Sequence, residues 1–135
     1  MLTFTTNQRP SLVALLMKSF SIIQYNAARS WDTIATFLRE REVREAKVIA
    51  IQEPWKNALL DTTHNPVPAT HQLLFPHIKD ERQRVALFVS RELDPSTWAH
   101  SVVSSDYQIL RLRRIRRNDG GWTDLFIHNI YNDQI

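Results

Sequence analysis

Two short apolar runs, residues 20–25 and 47–52, lie on either side of a stretch with helical periodicity. The first is rich in β-branched and aromatic residues, and the second shows no polar–apolar alternation, which is typical of strands covered on both faces. Between them, residues 31–46 carry apolar and charged side chains on opposite helical faces, and Ser30 is a good N-cap. A strand–helix–strand unit of this length predicts two parallel strands joined by a right-handed crossover.

The second half of the chain predicts antiparallel strands. Residues 84–90, 108–115 and 122–131 have strand-like composition, and Asn-Asp-Gly-Gly at 118–121 is a strong turn signal between the last two. Residues 56–80 contain three prolines and are predicted to form a long connection. We therefore predict an α/β fold with a mixed sheet, in which a β-α-β start is followed by an antiparallel meander.

Length and composition limit the possible functions. A chain of 135 residues suits one domain, predicted here over residues 19–135, preceded by an N-terminal tail at 1–18 to which the sequence assigns no clear element. The absence of cysteine excludes disulfides, thiolate zinc sites and cysteine nucleophiles, and fits a reducing compartment. Two glycines are too few for a phosphate-cradling glycine loop. The longest apolar run, residues 12–17, is far below the ~20 residues that a membrane span requires.

Three polar residues lie at or beside the carboxyl ends of predicted strands: Asn26, Glu53 and Tyr131. Sites in α/β sheets gather at such ends because the scaffold fixes side chains that still reach solvent. A carboxylate, an amide and a phenol supply the hard oxygen ligands and hydrogen bonds that suit Mg²⁺. By position alone, each residue also has a simpler interpretation, as a turn residue, a solvated loop carboxylate and a rim aromatic respectively.

Three segments carry a family resemblance: Ile-Ile-Gln-Tyr-Asn (22–26), Ile-Ala-Ile-Gln-Glu-Pro-Trp (49–55) and Ile-His-Asn-Ile-Tyr-Asn (127–132). In order and spacing they resemble the first blocks of the endonuclease/exonuclease/phosphatase superfamily, and most of all the endonuclease domain of fungal non-LTR retrotransposons. The resemblance implies the N-terminal half of a four-layer, deoxyribonuclease-I-like α/β sandwich. It also implies that the chain stops before the domain is complete.

The resemblance assigns a role to each of the three residues. Glu53 would bind the catalytic Mg²⁺, Asn26 would help to position metal and phosphate, and Tyr131 would contact the scissile phosphate. The implied reaction is attack of water on a phosphodiester of DNA. Because the later motifs of the family are absent, we expect a truncated endonuclease that is weakly active or inactive alone. A second copy or a complementing C-terminal half are the candidate partners, and we expect an intracellular protein with the nucleus as a candidate compartment.

An arginine-rich run offers a second site. Arg111, Arg113 and Arg114 are candidate nucleic-acid contacts, since arginine binds phosphate in bidentate geometry. The alternative is the solvated end of a β-ribbon, where arginines protect an exposed edge from aggregation. Two other functions therefore remain open at this point: a non-catalytic nucleic-acid-binding or dimerising module derived from the same fold, and a phosphatase acting on small phosphoesters.

Overall fold

The computed structural model describes residues 20–60, 62–76, 78 and 81–132, so the predicted tail at 1–18 lies outside the described residues. Within them, no helix is long and apolar enough to cross a membrane. The described elements are β1 (Ile22–Asn26), α1 (Trp31–Phe37), α2 (Arg41–Arg44), β2 (Val48–Gln52), β3 (His71–Leu74), β4 (Val85–Ser90), a 3-10 turn (Pro95–Thr97), β5 (Trp98–Ser104), β6 (Tyr107–Arg116) and β7 (Trp122–Ile130).

The predicted strand–helix–strand unit is confirmed. Strand β1 pairs with β2 in parallel, in a register that runs from Ile22 opposite Val48 to Asn26 opposite Gln52. Ser30 caps α1 as predicted, since its hydroxyl accepts a hydrogen bond from the Thr33 amide at 3.1 Å. This cap satisfies one of the amide donors that the first helical turn leaves without an intrahelical partner.

The prediction of one continuous helix over residues 31–46 is wrong. Helix α1 ends at Phe37 and α2 begins at Arg41, with Glu40 extended between them at ψ 137°. Ile34 and Val43 are both buried in one core, yet they are nine residues apart. In a straight helix that spacing would place them on roughly opposite faces. The break at Glu40 lets both side chains face the sheet.

The first sheet has four strands in the order β1-β2-β4-β3, with β4 antiparallel to both of its neighbours. Strand β3 lies inside the stretch that was predicted to be a long connection, so that prediction is also wrong. The strand has four residues, forms an edge, and buries only His71 fully. A sequence this short and polar carries no periodic signal, and its pairing with β4 defines it as a strand.

The second sheet has three antiparallel strands in the order β5-β6-β7. Strands β6 and β7 and the turn between them follow the sequence prediction, and Gly120 takes the positive φ of 83° that such turns demand. Strand β5 was not predicted, because small and polar residues interrupt the apolar positions of its sequence, Trp-Ala-His-Ser-Val-Val-Ser. None of its residues is fully buried. The meander therefore forms a sheet of its own, separate from the mixed sheet, within the described residues.

The four-stranded sheet is covered on both faces. One face packs against the helical layer through β2 residues Ile49 and Ile51, which contact the cluster around Leu38 and Phe88. The other face packs its buried side chains Ile22, Val48, Ala50, Leu87 and Val89 against Leu110, Leu112 and Ile127 of the second sheet. All five residues of β2 are buried, which explains its lack of alternation.

The outer face of the three-stranded sheet is open. Val103, Trp122 and Phe126 expose 57%, 53% and 48% of their surfaces there or beside it. No element among the described residues covers them, so the layers in this part of the chain number three: helices, mixed sheet and antiparallel sheet.

Candidate functional site

Glu53 and Tyr131 meet at one end of the two packed sheets. Because β1 and β2 are parallel, their carboxyl ends lie side by side, and β7 in the facing sheet ends at the same place. The Tyr131 hydroxyl donates a hydrogen bond to Oε1 of Glu53 at 2.6 Å. Both side chains are half-buried. Two of the three residues predicted from the sequence are therefore in direct contact, across 78 positions of the chain.

The backbone of Glu53 is strained and held on both sides. Its φ of 48° lies in the left-handed region, which costs a non-glycine residue roughly 1–2 kcal/mol. The Glu53 amide donates to the Arg84 carbonyl at 2.9 Å, and the Glu53 carbonyl accepts from the Arg29 amide at 2.8 Å. Pro54, which follows, is buried. Strain of this kind persists where the surroundings fix it, and it clusters at functional sites.

Asn26 lies at the same sheet edge, opposite Gln52, but its side chain is hydrogen-bonded within the loop that follows it. Its exposed side chain accepts a hydrogen bond through Oδ1 from the Ala28 amide at 2.8 Å. The loop is tight, since Ala28 and Arg29 both have positive φ, 49° and 62°. An amide side chain that bonds the backbone two residues on is the usual way in which Asn stabilises such a turn.

Arg84 and Asp106, which the sequence did not single out, complete the surroundings of Tyr131. The Arg84 guanidinium lies over the Tyr131 ring, 5.2 Å from its centroid, and its Nε lies 2.9 Å from Oδ1 of Asp106. The Asp106 carbonyl accepts from the Tyr131 amide at 2.9 Å. Arg84 precedes a strand and Asp106 lies in the β5–β6 turn, so neither position carries a local signal that would have identified it.

Buried amides join the two sheets directly behind the site. Gln52, the residue before Glu53, donates through Nε2 to Oδ1 of Asn129 at 2.5 Å, and Asn129 is two residues before Tyr131. Gln24 on β1 donates to Oε1 of Gln52 at 2.6 Å. The residue directly before Glu53 and the residue two positions before Tyr131 are thus hydrogen-bonded to each other. This link fixes the relative position of the strand ends from which Glu53 and Tyr131 project.

The same network continues into the second sheet. Asn129 donates through Nδ2 to Oε1 of Gln108 and to the Ala86 carbonyl, both at 2.9 Å. Gln108 lies 3.0 Å from Nε2 of His100, and since the Gln108 amide nitrogen can only donate, His100 accepts. Burial lowers the pKa of His100, which favours the neutral imidazole that this contact requires.

The acidic groups at the site are few. Among the described residues no three His, Cys, Asp or Glu side chains are grouped as a metal site. The Glu53 carboxylate is bonded to the Tyr131 hydroxyl, whereas the Asp106 carboxylate is paired with Arg84. Mg²⁺ often binds through one or two carboxylates and completes its shell with water and phosphate, so a single glutamate fits one ligand position and leaves the others to the substrate and to solvent.

An open groove of about 330 Å³ lies elsewhere, on the helical side of Tyr25. Tyr25 stacks on Phe37 there, with ring centroids 4.1 Å apart. The groove does not include Glu53, Tyr131 or Arg84, and it is lined by Tyr25, Asp32, Thr33, Thr36, Phe37 and Glu40.

The arginines of β6 lie away from this site. Arg111 is on the outer face of the three-stranded sheet, where its Nε donates to Oδ2 of Asp124 at 2.9 Å and its guanidinium lies 5.6 Å from the centre of the Phe126 ring. Arg113 is exposed, and the side chain of Arg114 lies outside the described part of the chain. Arg111 therefore forms a surface ion pair with Asp124.

No family model matches the chain, and no curated protein or solved structure matches it either.

Proposed function

We propose that this chain is the N-terminal part of a Mg²⁺-dependent phosphodiesterase domain of the endonuclease/exonuclease/phosphatase superfamily, of the retrotransposon DNA endonuclease type. The observation that carries the proposal is the 2.6 Å hydrogen bond between Tyr131 and Glu53. The two residues lie in separate sequence blocks, and each follows a predicted strand. Their contact supports a common site there.

The proposal extends to the architecture. A mixed sheet and an antiparallel sheet that pack face to face, with helices outside the first, are three of the layers that a four-layer α/β sandwich requires. The open outer face of the three-stranded sheet is where a fourth layer would pack. A complementing C-terminal half, or a second copy of the chain, would supply it.

In this proposal each side chain has a distinct part. Glu53 holds Mg²⁺, which supplies charge stabilisation at the phosphate when it is bound. The Tyr131 hydroxyl donates a hydrogen bond to Glu53 in this structure, and with Mg²⁺ and substrate present that one hydrogen would turn from Glu53 to a phosphate oxygen. Arg84 places a positive charge over the Tyr131 ring at the entrance to the site. Asn26 keeps the β1 loop closed beside Glu53.

The donor set also supports the expectation of weak or absent activity in the isolated chain. One carboxylate positions a metal ion loosely, and the described residues hold no group of three or more His, Cys, Asp or Glu side chains that would supply further protein ligands. The second candidate function, a non-catalytic nucleic-acid-binding module, is favoured by this incompleteness and by the exposed arginines of β6.

Nicking of supercoiled plasmid by the purified chain tests the proposal. The assay compares wild type, Glu53→Gln and Tyr131→Phe, with Glu42→Gln on α2 as an exposed control. Mg²⁺-dependent nicking that is lost in Glu53→Gln, reduced at least tenfold in Tyr131→Phe and kept in Glu42→Gln supports it. Nicking that survives EDTA or Glu53→Gln contradicts it.

A second measurement tests the metal site if the isolated chain does not nick DNA. Mn²⁺, a paramagnetic substitute for Mg²⁺, should broaden the backbone amide NMR signals of Gln52, Glu53 and Tyr131 in wild type and leave them sharp in Glu53→Gln. A folded chain that neither nicks DNA nor shows this local broadening would overturn the metal site, and the non-catalytic candidate would replace it.

A further inference from the structure

The hairpin of β6 and β7 extends beyond the sheet that supports it. Strand β5 pairs with β6 only as far as Leu112, which lies opposite Trp98. Pairing between β6 and β7 continues past that point, to Ile115 opposite Thr123 and Arg116 opposite Trp122. Residues 113–123 therefore form a two-stranded ribbon that no third strand flanks in the part of the chain that the structure describes, and we refer to this segment as the ribbon.

The ribbon holds the excess positive charge of the chain. Its eleven residues include four arginines and one aspartate, a net charge of +3. The whole chain has 17 basic and 14 acidic residues, also a net +3, which leaves thirteen of each sign outside the ribbon. A protein that is neutral elsewhere thus presents one concentrated basic projection, the charge distribution that attracts a polyanion.

The geometry presents the arginines to solvent. The register shifts between Leu112 and Ile115, and a shift of this kind redirects the side chains that follow it. Ile115 packs against the core between the sheets and anchors the base of the ribbon. Arg113 and Arg116 are exposed.

Arg117 is exposed at the tip of the ribbon, and its only described ion pair is with Asp119, 3.3 Å away and itself solvated. An exposed pair of this kind is worth little, so Arg117 can exchange its partner for a phosphate. Arg111 differs, since it lies below the ribbon and is bonded to Asp124.

We propose that the ribbon is an arm that binds duplex DNA through its phosphates, with Arg113, Arg116 and Arg117 as the main contacts. A two-stranded β-ribbon fits the major groove, which is roughly 12 Å wide, and duplex DNA has the denser array of phosphates. A single strand would instead need open aromatic platforms. The ribbon has one aromatic residue, Trp122, and Arg116 already lies over its ring at 5.5 Å.

This arm is separate from the Glu53 site and rests on the proposed function only for the choice of DNA among polyanions. Binding is therefore measured in EDTA, where catalysis plays no part. Fluorescence anisotropy of a labelled duplex of about 20 base pairs, over a series of salt concentrations, compares wild type with the triple variant Arg113→Gln/Arg116→Gln/Arg117→Gln. The matched control is Arg39→Gln/Arg41→Gln/Arg44→Gln in the helical layer, which removes the same charge from three exposed arginines.

We expect the ribbon triple to weaken binding at least tenfold at low salt and to reduce the slope of log K against log salt by about 2 to 3. The control triple should change affinity less than twofold, with all variants melting as wild type does.

Equal losses of DNA affinity in the two triple variants would mean that the positive charges attract DNA diffusely. That result would overturn the proposal that the ribbon is a DNA-binding arm. Tighter binding of the matching single strand, or equal binding of anionic lipid vesicles, would overturn the assignment of duplex DNA. A wild-type chain that shows ribbon-dependent binding, but neither nicks DNA nor shows Mn²⁺ broadening near Glu53, would count against the Glu53 site and leave the arm standing.

Discussion

The Tyr131 hydroxyl and Oε1 of Glu53 are 2.6 Å apart, although 78 positions of sequence separate the two residues. One side chain projects from the loop after β2 and the other from the end of β7, in facing sheets. Both side chains are half-buried. If the Tyr131 hydroxyl is removed, fewer water molecules can therefore reach the Glu53 carboxylate to take its place. The bond therefore stabilises the fold at the point where the proposed chemistry takes place.

Tyr131→Phe should lower the free energy of unfolding by about 1–2 kcal/mol, since a hydrogen bond to a charged group is lost. Glu53→Ala should cost at least as much, and the double variant Tyr131→Phe/Glu53→Ala should cost less than the sum of the two, because both remove the same bond. Urea denaturation measures all three. Tyr25→Phe, which changes a largely exposed phenol, should shift stability by less than about 0.5 kcal/mol. Strictly additive single effects would show that the bond contributes nothing.

Ala28→Gly should stabilise the protein by up to about 1 kcal/mol. Ala28 is exposed and holds a φ of 49°, a conformation that glycine adopts without the steric cost of a Cβ. The control is Ala35→Gly inside α1, where glycine should instead destabilise by about 1 kcal/mol. Thermal melting compares the two. Destabilisation by both substitutions would mean that the β1 loop tolerates Ala28 without strain.

Asn129→Ala should destabilise by about 2–4 kcal/mol. The substitution leaves the Gln52 amide and the Gln108 carbonyl oxygen without their partner inside the protein, and buried polar groups without partners are costly. Asn132→Ala, at an exposed position, should be close to neutral. Denaturation by urea gives both values. A cost for Asn129→Ala below about 1 kcal/mol would show that water replaces the amide and that the network does not position the strand ends.

His71 makes stability depend on pH. Burial is the main cause that lowers its pKa, and the positive charges of Lys47 and Arg91 lower it further, whereas a hydrogen bond to the Ala46 carbonyl and the charge of Glu92 act in the opposite direction. Nε2 lies 2.9 Å from the carbonyl and donates to it. Nδ1 is thus left to accept from the Thr70 hydroxyl, and protonation of Nδ1 would reverse the direction of this bond.

The sign of the effect follows from proton binding. In the unfolded chain the imidazole takes up a proton near the ordinary value of about 6.5, and in the folded chain it does so only at lower pH. Between these two values the unfolded chain binds more protons, so the contribution of His71 is complete above pH ~6.5 and is lost as the pH falls through that window. The free energy of unfolding, measured by urea denaturation from pH 7.5 to 5, should decline less steeply in His71→Gln. An unchanged slope would assign the pH dependence to other groups.

Local patterns in the sequence determined the strand–helix–strand start, the two long strands of the final hairpin and the turn between them. Hydrophobic runs, an N-cap and a pair of glycines act over a few residues, so they can be identified without a partner. The same patterns placed Asn26, Glu53 and Tyr131 at strand ends. They could not show that Glu53 and Tyr131 touch, or that the Asn26 oxygen is bonded within its own loop.

Tertiary structure alone decided the rest. The helix breaks at Glu40 because Ile34 and Val43 must reach one core, and β3 is a strand because β4 offers it an edge. Arg84 comes to lie over Tyr131, and Gln52 bonds Asn129, because two sheets pack face to face. The last two contacts join residues that are 47 or more positions apart, and no local periodicity encodes a partner at such a distance. The sequence determined which segments become buried, and the packing of those segments determined which side chains form the site.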